Sequence, residues 1–159
     1  PRVRRQRQMC IRDSITGAYV YNKMGLTEQV ATTITIATPN PVRRFRFKNL
    51  DIECVKAYCM VYPDESLVPY LRLLDAIKDM KRIPGTTGQD IYNRVKSQYF
   101  NGYSLPELEK IVSLAKSYPP RVRKVVADIL GDIRQTVLQT EMAKTILPTT
   151  RFNLDYKTA

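Results

Sequence analysis

The sequence predicts an α+β protein in which a short helix and a small antiparallel sheet precede a bundle of about four helices. Two patterns predict this class. Apolar and polar residues alternate with a period of two between residues 32 and 60, as in half-buried strands, whereas a spacing of three to four residues dominates from residue 62 onward, as in helices. Because the two patterns occupy separate parts of the chain, strands and helices are expected to segregate.

The composition is that of a folded domain and argues against an enzyme. The chain has 159 residues, 43% of them hydrophobic, with 26 lysines and arginines against 15 aspartates and glutamates. No apolar run approaches the roughly 20 residues of a membrane span, so no membrane association is expected. There is no histidine, which removes the commonest general base and most catalytic zinc sites.

The first fourteen residues resemble translated sequencing adapter. Residues 4–14 match, at every position, the translation of the transposon-end oligonucleotide used in DNA library preparation. The alternative is a natural basic arm that binds nucleic acid, as arginine-rich N-termini often do. We favour the adapter and exclude residues 1–14 from fold prediction.

Setting aside Cys10 leaves two cysteines, Cys54 and Cys59. Two are too few for the disulfide framework of a secreted mini-protein. Five residues apart on a strand, they would face opposite sides of the sheet, which is poor geometry for a shared metal or a disulfide. We predict two half-buried apolar residues, with a metal or redox role as the alternative, in a reducing cytoplasm.

Residues 15–61 are predicted to hold the short helix and the strands. Apolar residues recur at helical spacing over 15–24, and Gly25 follows at the position where a left-handed residue is favoured. The three predicted strands cover residues 32–38, 42–47 and 50–60. The last two flank Lys48 and Asn49, which predicts a hairpin.

Residues 62–147 are predicted to form the helical part, and residues 148–159 a tail without a clear period. Apolar stripes predict helices over residues 67–80, 91–99, 104–115 and 122–137. Ser104 and Glu107 have the spacing of a capping box. Together residues 15–147 are expected to form one domain.

The sharpest local feature is a basic stripe on the second predicted strand. Alternation places Arg44, Arg46 and Lys48 on one face and two phenylalanines, Phe45 and Phe47, on the other. Three cations in a row could follow a phosphate backbone. The alternative is a solvated face whose cations protect an exposed sheet edge.

A second basic cluster, Arg121, Arg123 and Lys124, begins the last predicted helix. The helix dipole disfavours cations there, which predicts an anionic group nearby. Asp128, one turn further on, is one candidate, and a binding partner is the other.

Two aspartate pairs share helix faces at a spacing of four residues, Asp75 with Asp79 and Asp128 with Asp132. Each pair could bind a metal, but neighbouring lysines and arginines favour solvated, salt-bridging faces. Residues 85–88 have the small side chains of a phosphate loop without its lysine or preceding strand, so we predict an ordinary loop. No catalytic residue, metal site or cofactor is assigned.

Several motifs in a fixed order resemble one family across residues 16–155. The matching stretches are residues 16–18, 24–30, 34–38, 44–47, 73–84, 118–123 and 148–154. In order and spacing they resemble the AbiEi-type antitoxins of bacterial abortive-infection and type IV toxin–antitoxin systems.

The resemblance implies a two-part protein. In that family an N-terminal winged helix-turn-helix binds operator DNA and represses the operon, whereas the C-terminal region counteracts a co-encoded nucleotidyltransferase toxin of the AbiEii type. The winged helix is expected to precede Thr16, where adapter stands instead, so it is expected to be missing here. No catalytic residue is carried over, because the family's role is not enzymatic.

The leading prediction is therefore the antitoxin domain of a transcriptional repressor in phage defence, with direct toxin contact left open and no small-molecule substrate. The alternative is a stand-alone nucleic-acid-binding module that uses Arg44, Arg46 and Lys48 and loses affinity as salt is added. A third hypothesis, an enzyme acting on nucleotides, requires a divalent metal at one of the aspartate pairs.

Overall fold

The strands and helices segregate as the sequence predicts. A computed structural model describes residues 14–38, 43–56 and 65–158, and these residues form a four-stranded sheet and six α-helices. The α+β class is therefore confirmed. The adapter-like residues 1–13 lie outside the described residues, whereas Ser14 is the first residue of a strand.

The sheet is mixed, although an antiparallel one was predicted. Its strands are β1 (Ser14–Thr16), β2 (Thr33–Thr38), β3 (Arg43–Phe47) and β4 (Leu50–Lys56), in the order β1-β2-β4-β3. The tight turn at Lys48 and Asn49 makes β3 and β4 antiparallel, as predicted. However, β3 is the edge strand, and β4, rather than β3, pairs with β2. The β2–β4 pair is parallel.

The first helix, α1 (Ala18–Lys23), begins three residues later than the helical spacing predicts. Ile15 belongs to β1 instead, where it pairs with Ile36. Gly17 separates the strand from the helix with a φ of 81°. The predicted end is confirmed, because Gly25 has a φ of 75° and directly follows the C-cap residue Met24.

Five further helices form the helical part, one more than predicted. They are α2 (Val68–Lys78), α3 (Gly88–Gln98), α4 (Leu105–Ala115), α5 (Pro120–Asp132) and α6 (Thr136–Ala143). The predicted helix over 122–137 is divided because Arg134 adopts a left-handed φ of 63°. Val137 consequently leaves the apolar stripe and is 80% exposed.

The core lies between these helices, where their apolar stripes meet. The predicted stripe of α4 is confirmed, because Leu108, Ile111, Val112 and Ala115 are all buried. Ser104 N–H donates to the Glu107 carboxylate at 3.2 Å, as the predicted capping box requires. No described helix is long and apolar enough to cross a membrane.

The C-terminal tail packs on the helices. Tyr156 is buried and stacks on Tyr92 of α3, with ring centroids 4.3 Å apart. The Lys157 N–H donates to Gln89 Oε1 at 2.6 Å. The tail lacks a sequence period because it is irregular in structure, yet it covers part of the core.

The junction between β1 and α1 yields a stability prediction. At Gly17 the backbone has φ 81° and ψ −168°, a conformation almost exclusive to glycine. An added Cβ would also lie 2.5 Å from Thr35 Oγ1. Gly17→Ala is therefore expected to lower the free energy of unfolding by about 3 kcal/mol in urea titrations.

Gly102→Ala is the matched control for this substitution. Gly102 is exposed, and no heavy atom lies within 4 Å of an added Cβ. The Gly102→Ala substitution should change the free energy of unfolding of the protein by less than about 0.5 kcal/mol. Equal effects at both glycines would contradict the conformation described at Gly17.

Candidate interaction face and basic cleft

The predicted basic stripe lies on the edge strand β3, where both arginines are paired. Arg44 Nη2 lies 2.8 Å from Glu53 Oε1, and Arg46 Nε lies 3.6 Å from Asp51 Oδ1. The two carboxylates occupy the positions directly opposite on β4. Arg44 and Arg46 share a face as predicted, but cross-strand carboxylates balance their charge.

Lys48 does not join the two arginines, contrary to the prediction. It lies in the hairpin turn with a left-handed φ of 52°, so the strand alternation no longer applies to it. Its Nζ lies 5.7 Å from the centre of the Phe47 ring, and the Arg43 guanidinium lies 5.1 Å from the Phe45 ring. These distances suit cation–π interactions, which place positive charge beside the aromatic side of β3.

The aromatic side of β3 belongs to a larger surface, which we call the apolar sheet face. The strand register brings its members together, since Ile15 pairs with Ile36, Ile34 with Ile52, and Ile52 with Phe45. The face consists of Ile15, Ile34, Ile36, Phe45, Phe47, Leu50 and Ile52. These seven side chains are half-buried or exposed, and Phe47 is 57% exposed, whereas Cys54, which the register places beside Ile36 on the same face, is buried.

The opposite, more polar face of the sheet is the one that meets the helices. There Thr16 donates from Oγ1 to Asp75 Oδ2 of α2 at 2.8 Å. Thr35 and Glu53, which pair with each other across β2 and β4, lie on the same side. The apolar sheet face therefore points away from the helical core. A contiguous exposed apolar surface of this kind is typical of an interaction site.

A second surface, the basic cleft, is concave and lies between the sheet, the C-terminal end of α2 and the N-terminal end of α5. Its volume is about 550 Å³. Four cations and two carboxylates line it, namely Lys56, Lys78, Arg82, Arg121, Glu53 and Asp79. The charged side chains leave a net positive charge, so the cleft is complementary to an anion.

Only one member of the second predicted basic cluster reaches this cleft. Lys124 pairs with Asp128 at 2.9 Å, which confirms the predicted anionic neighbour. Arg123 donates to the backbone carbonyls of Tyr118 and Thr145, so it links the start of α5 to the end of α6. Arg121 lines the basic cleft, and its nearest carboxylate oxygen, Asp155 Oδ1, lies 3.6 Å from Nη2.

The two aspartate pairs are less solvated than predicted. Asp75 and Asp128 are only 6% and 9% exposed. Two of the expected neighbours form salt bridges, Lys78 with Asp79 and Lys124 with Asp128, and Lys96 of α3 pairs with Asp132 at 3.3 Å. The prediction of solvated faces is nevertheless wrong for Asp75, Asp128 and Asp132, since the Asp132 side chain is only 7% exposed.

Each of the four aspartates accepts a hydrogen bond from a tyrosine hydroxyl. The pairs are Tyr118 with Asp75 at 2.7 Å, Tyr21 with Asp79 at 2.6 Å, Tyr156 with Asp128 at 2.7 Å, and Tyr92 with Asp132 at 2.5 Å. We call these the tyrosine–aspartate bonds. The tyrosines occupy α1, α3, the segment before α5 and the C-terminal tail, so the bonds tie distant elements to α2 and α5.

Burial is the largest cause of the raised pKa values of Asp75, Tyr21, Tyr92 and Tyr156. It raises the pKa of the Asp75 carboxyl, against the opposing effects of Lys78 and of the Tyr118 and Thr16 hydroxyls. Burial and the neighbouring Asp79 carboxylate raise the pKa of Tyr21 well above its ordinary value. The hydroxyls of Tyr21, Tyr92 and Tyr156 therefore remain protonated donors at neutral pH.

No metal or nucleophile site is visible in the described ranges. Among them, no cluster of three or more cysteine, aspartate or glutamate side chains could hold a metal ion. Cys54 is buried and free, more deeply than predicted, while Cys10 and Cys59 lie outside these ranges. In the predicted loop at residues 85–88, Thr87 caps α3 by accepting from the Asp90 N–H at 3.2 Å.

Comparisons with known proteins give no match. Neither the protein-family models, nor the curated proteins, nor the solved structures include one that is similar to this chain.

Sequence reasoning missed parts of both surfaces. The isoleucines of β1, β2 and β4 show strand alternation, but no local signal tells which side of a sheet meets the helices. Lys56 ends β4, whereas Lys78 ends α2 and Arg82 lies in the loop after it. Only the four-residue spacing of Lys78 and Arg82 in the sequence hinted at a shared location.

The buried Asp75 gives a pH-dependent prediction. Its carboxyl titrates near 3.9 when unfolded and higher when folded. Its stabilising contribution is therefore fully present below the unfolded pKa and is lost as the pH rises through the folded pKa. The stability of Asp75→Asn relative to the wild type should accordingly increase between about pH 4 and pH 8.

Asp75→Ala separates the charge from the hydrogen bonds. It leaves the buried hydroxyls of Thr16 and Tyr118 without their acceptor, so it should be less stable than Asp75→Asn by about 2 to 3 kcal/mol at every pH in that range. Chemical unfolding at several pH values measures both variants. A relative stability of Asp75→Asn that falls as the pH rises would show that the folded protein stabilises the Asp75 carboxylate.

Proposed function

We propose that this chain is the interaction domain of an AbiEi-like antitoxin and transcriptional repressor, which counteracts a co-encoded nucleotidyltransferase toxin in bacterial phage defence. The ordered motifs across residues 16–155 support the proposal, and the α+β architecture is compatible with it. The domain acts in the cytoplasm without catalysing a reaction. Operator DNA is bound by a winged helix-turn-helix that precedes Thr16 in the full gene product.

The observation that carries the interaction role is the outward orientation of the apolar sheet face. Phe45, Phe47 and Leu50 are 39%, 57% and 47% exposed at the β3–β4 hairpin. Within the described residues, β3 pairs only with β4 and leaves its other edge unpaired. Exposed aromatic residues on a free edge strand favour a protein partner that packs on the face or adds a strand.

Charge defines the chemistry of that partner. Arg43 and Lys48 flank the two phenylalanine rings, and residues 15–159, without the adapter-like segment, carry a formal charge of +7 from 21 lysines and arginines against 14 aspartates and glutamates. A complementary partner surface has an apolar centre and an acidic rim. In the proposed complex the toxin is this partner, and the two proteins are in direct contact.

The pairing of Arg44 and Arg46 favours a protein over nucleic acid at this strand. Both arginines face carboxylates on β4, which would repel a phosphate backbone approaching the same face. Nucleic acid binding through Arg44, Arg46 and Lys48 remains the alternative to be tested. It predicts an affinity that falls steeply with added salt and is lost in Arg46→Glu.

Growth rescue tests the proposal. The chain and the nucleotidyltransferase encoded beside its gene are co-expressed, and colony counts are compared with the toxin alone. The wild-type chain should restore growth, whereas Phe45→Ser combined with Phe47→Ser should not. Each central aromatic residue contributes roughly 2 kcal/mol to such an interface, so the double variant should bind at least a hundredfold more weakly.

The matched control replaces two exposed apolar residues elsewhere. Leu105 and Val137 are 53% and 80% exposed on α4 and α6, and their double serine variant should still rescue growth. Rescue by both double variants would overturn the assignment of the interface. Absence of rescue by the wild-type chain would overturn the antitoxin proposal itself.

A further inference from the structure

The basic cleft has no role in the proposed interaction, because it lies mainly on the opposite side of the sheet. Of its β4 residues, only Lys56 at the strand end falls, like Ile52, on the other side. Glu53 and Thr35, which line the cleft, belong to the polar sheet face. Its volume of about 550 Å³ lies within the range of small-molecule sites. Its cations come from three separate parts of the fold, β4, the end of α2 with the loop after it, and α5.

Arg121 is the least satisfied cation of the cleft. Its Nε and Nη2 are shielded from solvent and have no hydrogen-bond acceptor among the described residues. The Asp155 carboxylate is too far away, at 3.6 Å, to provide a hydrogen bond. Buried guanidinium donors without acceptors are unfavourable. Because one third of the Arg121 side chain is exposed, a turn of its guanidinium towards an acceptor oxygen in the cleft would satisfy these donors.

The carboxylates add a second requirement to the ligand. Asp79 and Glu53 lie beside the cations, and Asp79 already accepts a hydrogen bond from Tyr21. An inorganic anion alone would be repelled by these two groups. A ligand that also donates hydrogen bonds from hydroxyl groups would match both kinds of side chain.

We infer that the basic cleft binds a phosphate ester of a polyhydroxylated small molecule, such as a nucleotide or a sugar phosphate. The phosphate lies at the Arg121 and Arg82 end, where guanidinium groups form paired hydrogen bonds to phosphate oxygens. The hydroxyl groups donate to Glu53 and Asp79. This ligand site is independent of the proposed antitoxin role.

Calorimetric titration of the wild-type chain tests this site with ATP, ribose 5-phosphate, inorganic tripolyphosphate and adenosine. ATP and ribose 5-phosphate should bind with Kd values below about 1 mM, and both affinities should fall as salt is added. Tripolyphosphate should bind at least tenfold more weakly than ATP, because it offers no hydroxyl donors. Adenosine, which lacks phosphate, should not bind measurably.

Charge-neutralising variants locate the site. Lys56→Gln and Arg82→Gln change exposed side chains and should each weaken ATP binding roughly tenfold, the effect of losing one charge-assisted hydrogen bond. Arg121→Gln should weaken it at least as much. Lys110→Gln, an exposed position on α4 outside the cleft, should change the affinity less than about twofold.

Three results would overturn the inference. The first is no binding of either phosphate ester, and the second is equal loss of affinity in Lys110→Gln and the cleft variants. The third is binding of a single-stranded oligonucleotide without binding of ATP, which would assign the cations to a nucleic-acid backbone. Thermal unfolding of each variant verifies that it is folded, and Lys56→Gln and Arg82→Gln keep the test decisive if Arg121→Gln does not fold.

Discussion

The fold depends on the hydrogen bonds that tyrosine hydroxyls donate to the aspartates of α2 and α5. A carboxylate as buried as Asp75 is unfavourable unless its oxygens are fully bonded. Thr16 of β1 and Tyr118 before α5 supply those bonds. Asp75 therefore tolerates burial only when the first strand and the fifth helix are both in place, which couples the sheet to the helical part.

The hydrogen bond from Thr16 to Asp75 explains why the sheet turns its apolar side outward. A sheet that packed its isoleucines on the helices would point Thr16 away from α2 and leave Asp75 without one donor. The polar attachment through Thr16 and Asp75 instead leaves Ile15, Phe45 and Phe47 facing away from the core. The orientation that satisfies the buried carboxylate thus creates both the apolar sheet face and, on the other side, the basic cleft.

Local chemistry in the sequence was enough to predict most helices and the hairpin. The α4 stripe, the Ser104 cap and the Gly25 terminus follow from spacing and side-chain type alone. The parallel β2–β4 pair and the break at Arg134 could not be predicted, because each results from how distant segments pack. The pairing of Arg44 with Glu53 was predictable only after the hairpin register was known.

Two details of the predicted sites, the place of Lys48 and the solvation of the aspartate faces, were wrong for a related reason. A row of cations on a strand has the same sequence pattern whether it faces solvent, nucleic acid or carboxylates on the next strand. Two aspartates four residues apart likewise have the same sequence pattern whether they are solvated or buried. Here Tyr118 and Tyr156, which bond to Asp75 and Asp128, lie 43 and 28 residues away in the sequence. Long-range partners therefore decide the role of each charged residue.

Hydrogen exchange of the chain, alone and in complex with the nucleotidyltransferase toxin that we propose as its partner, tests the central claim most directly. The backbone amides of β3 and β4 should exchange more slowly in the complex, while those of α4 remain unchanged. Protection confined to the helices, or the absence of any complex, would contradict the claim that the apolar sheet face binds the partner.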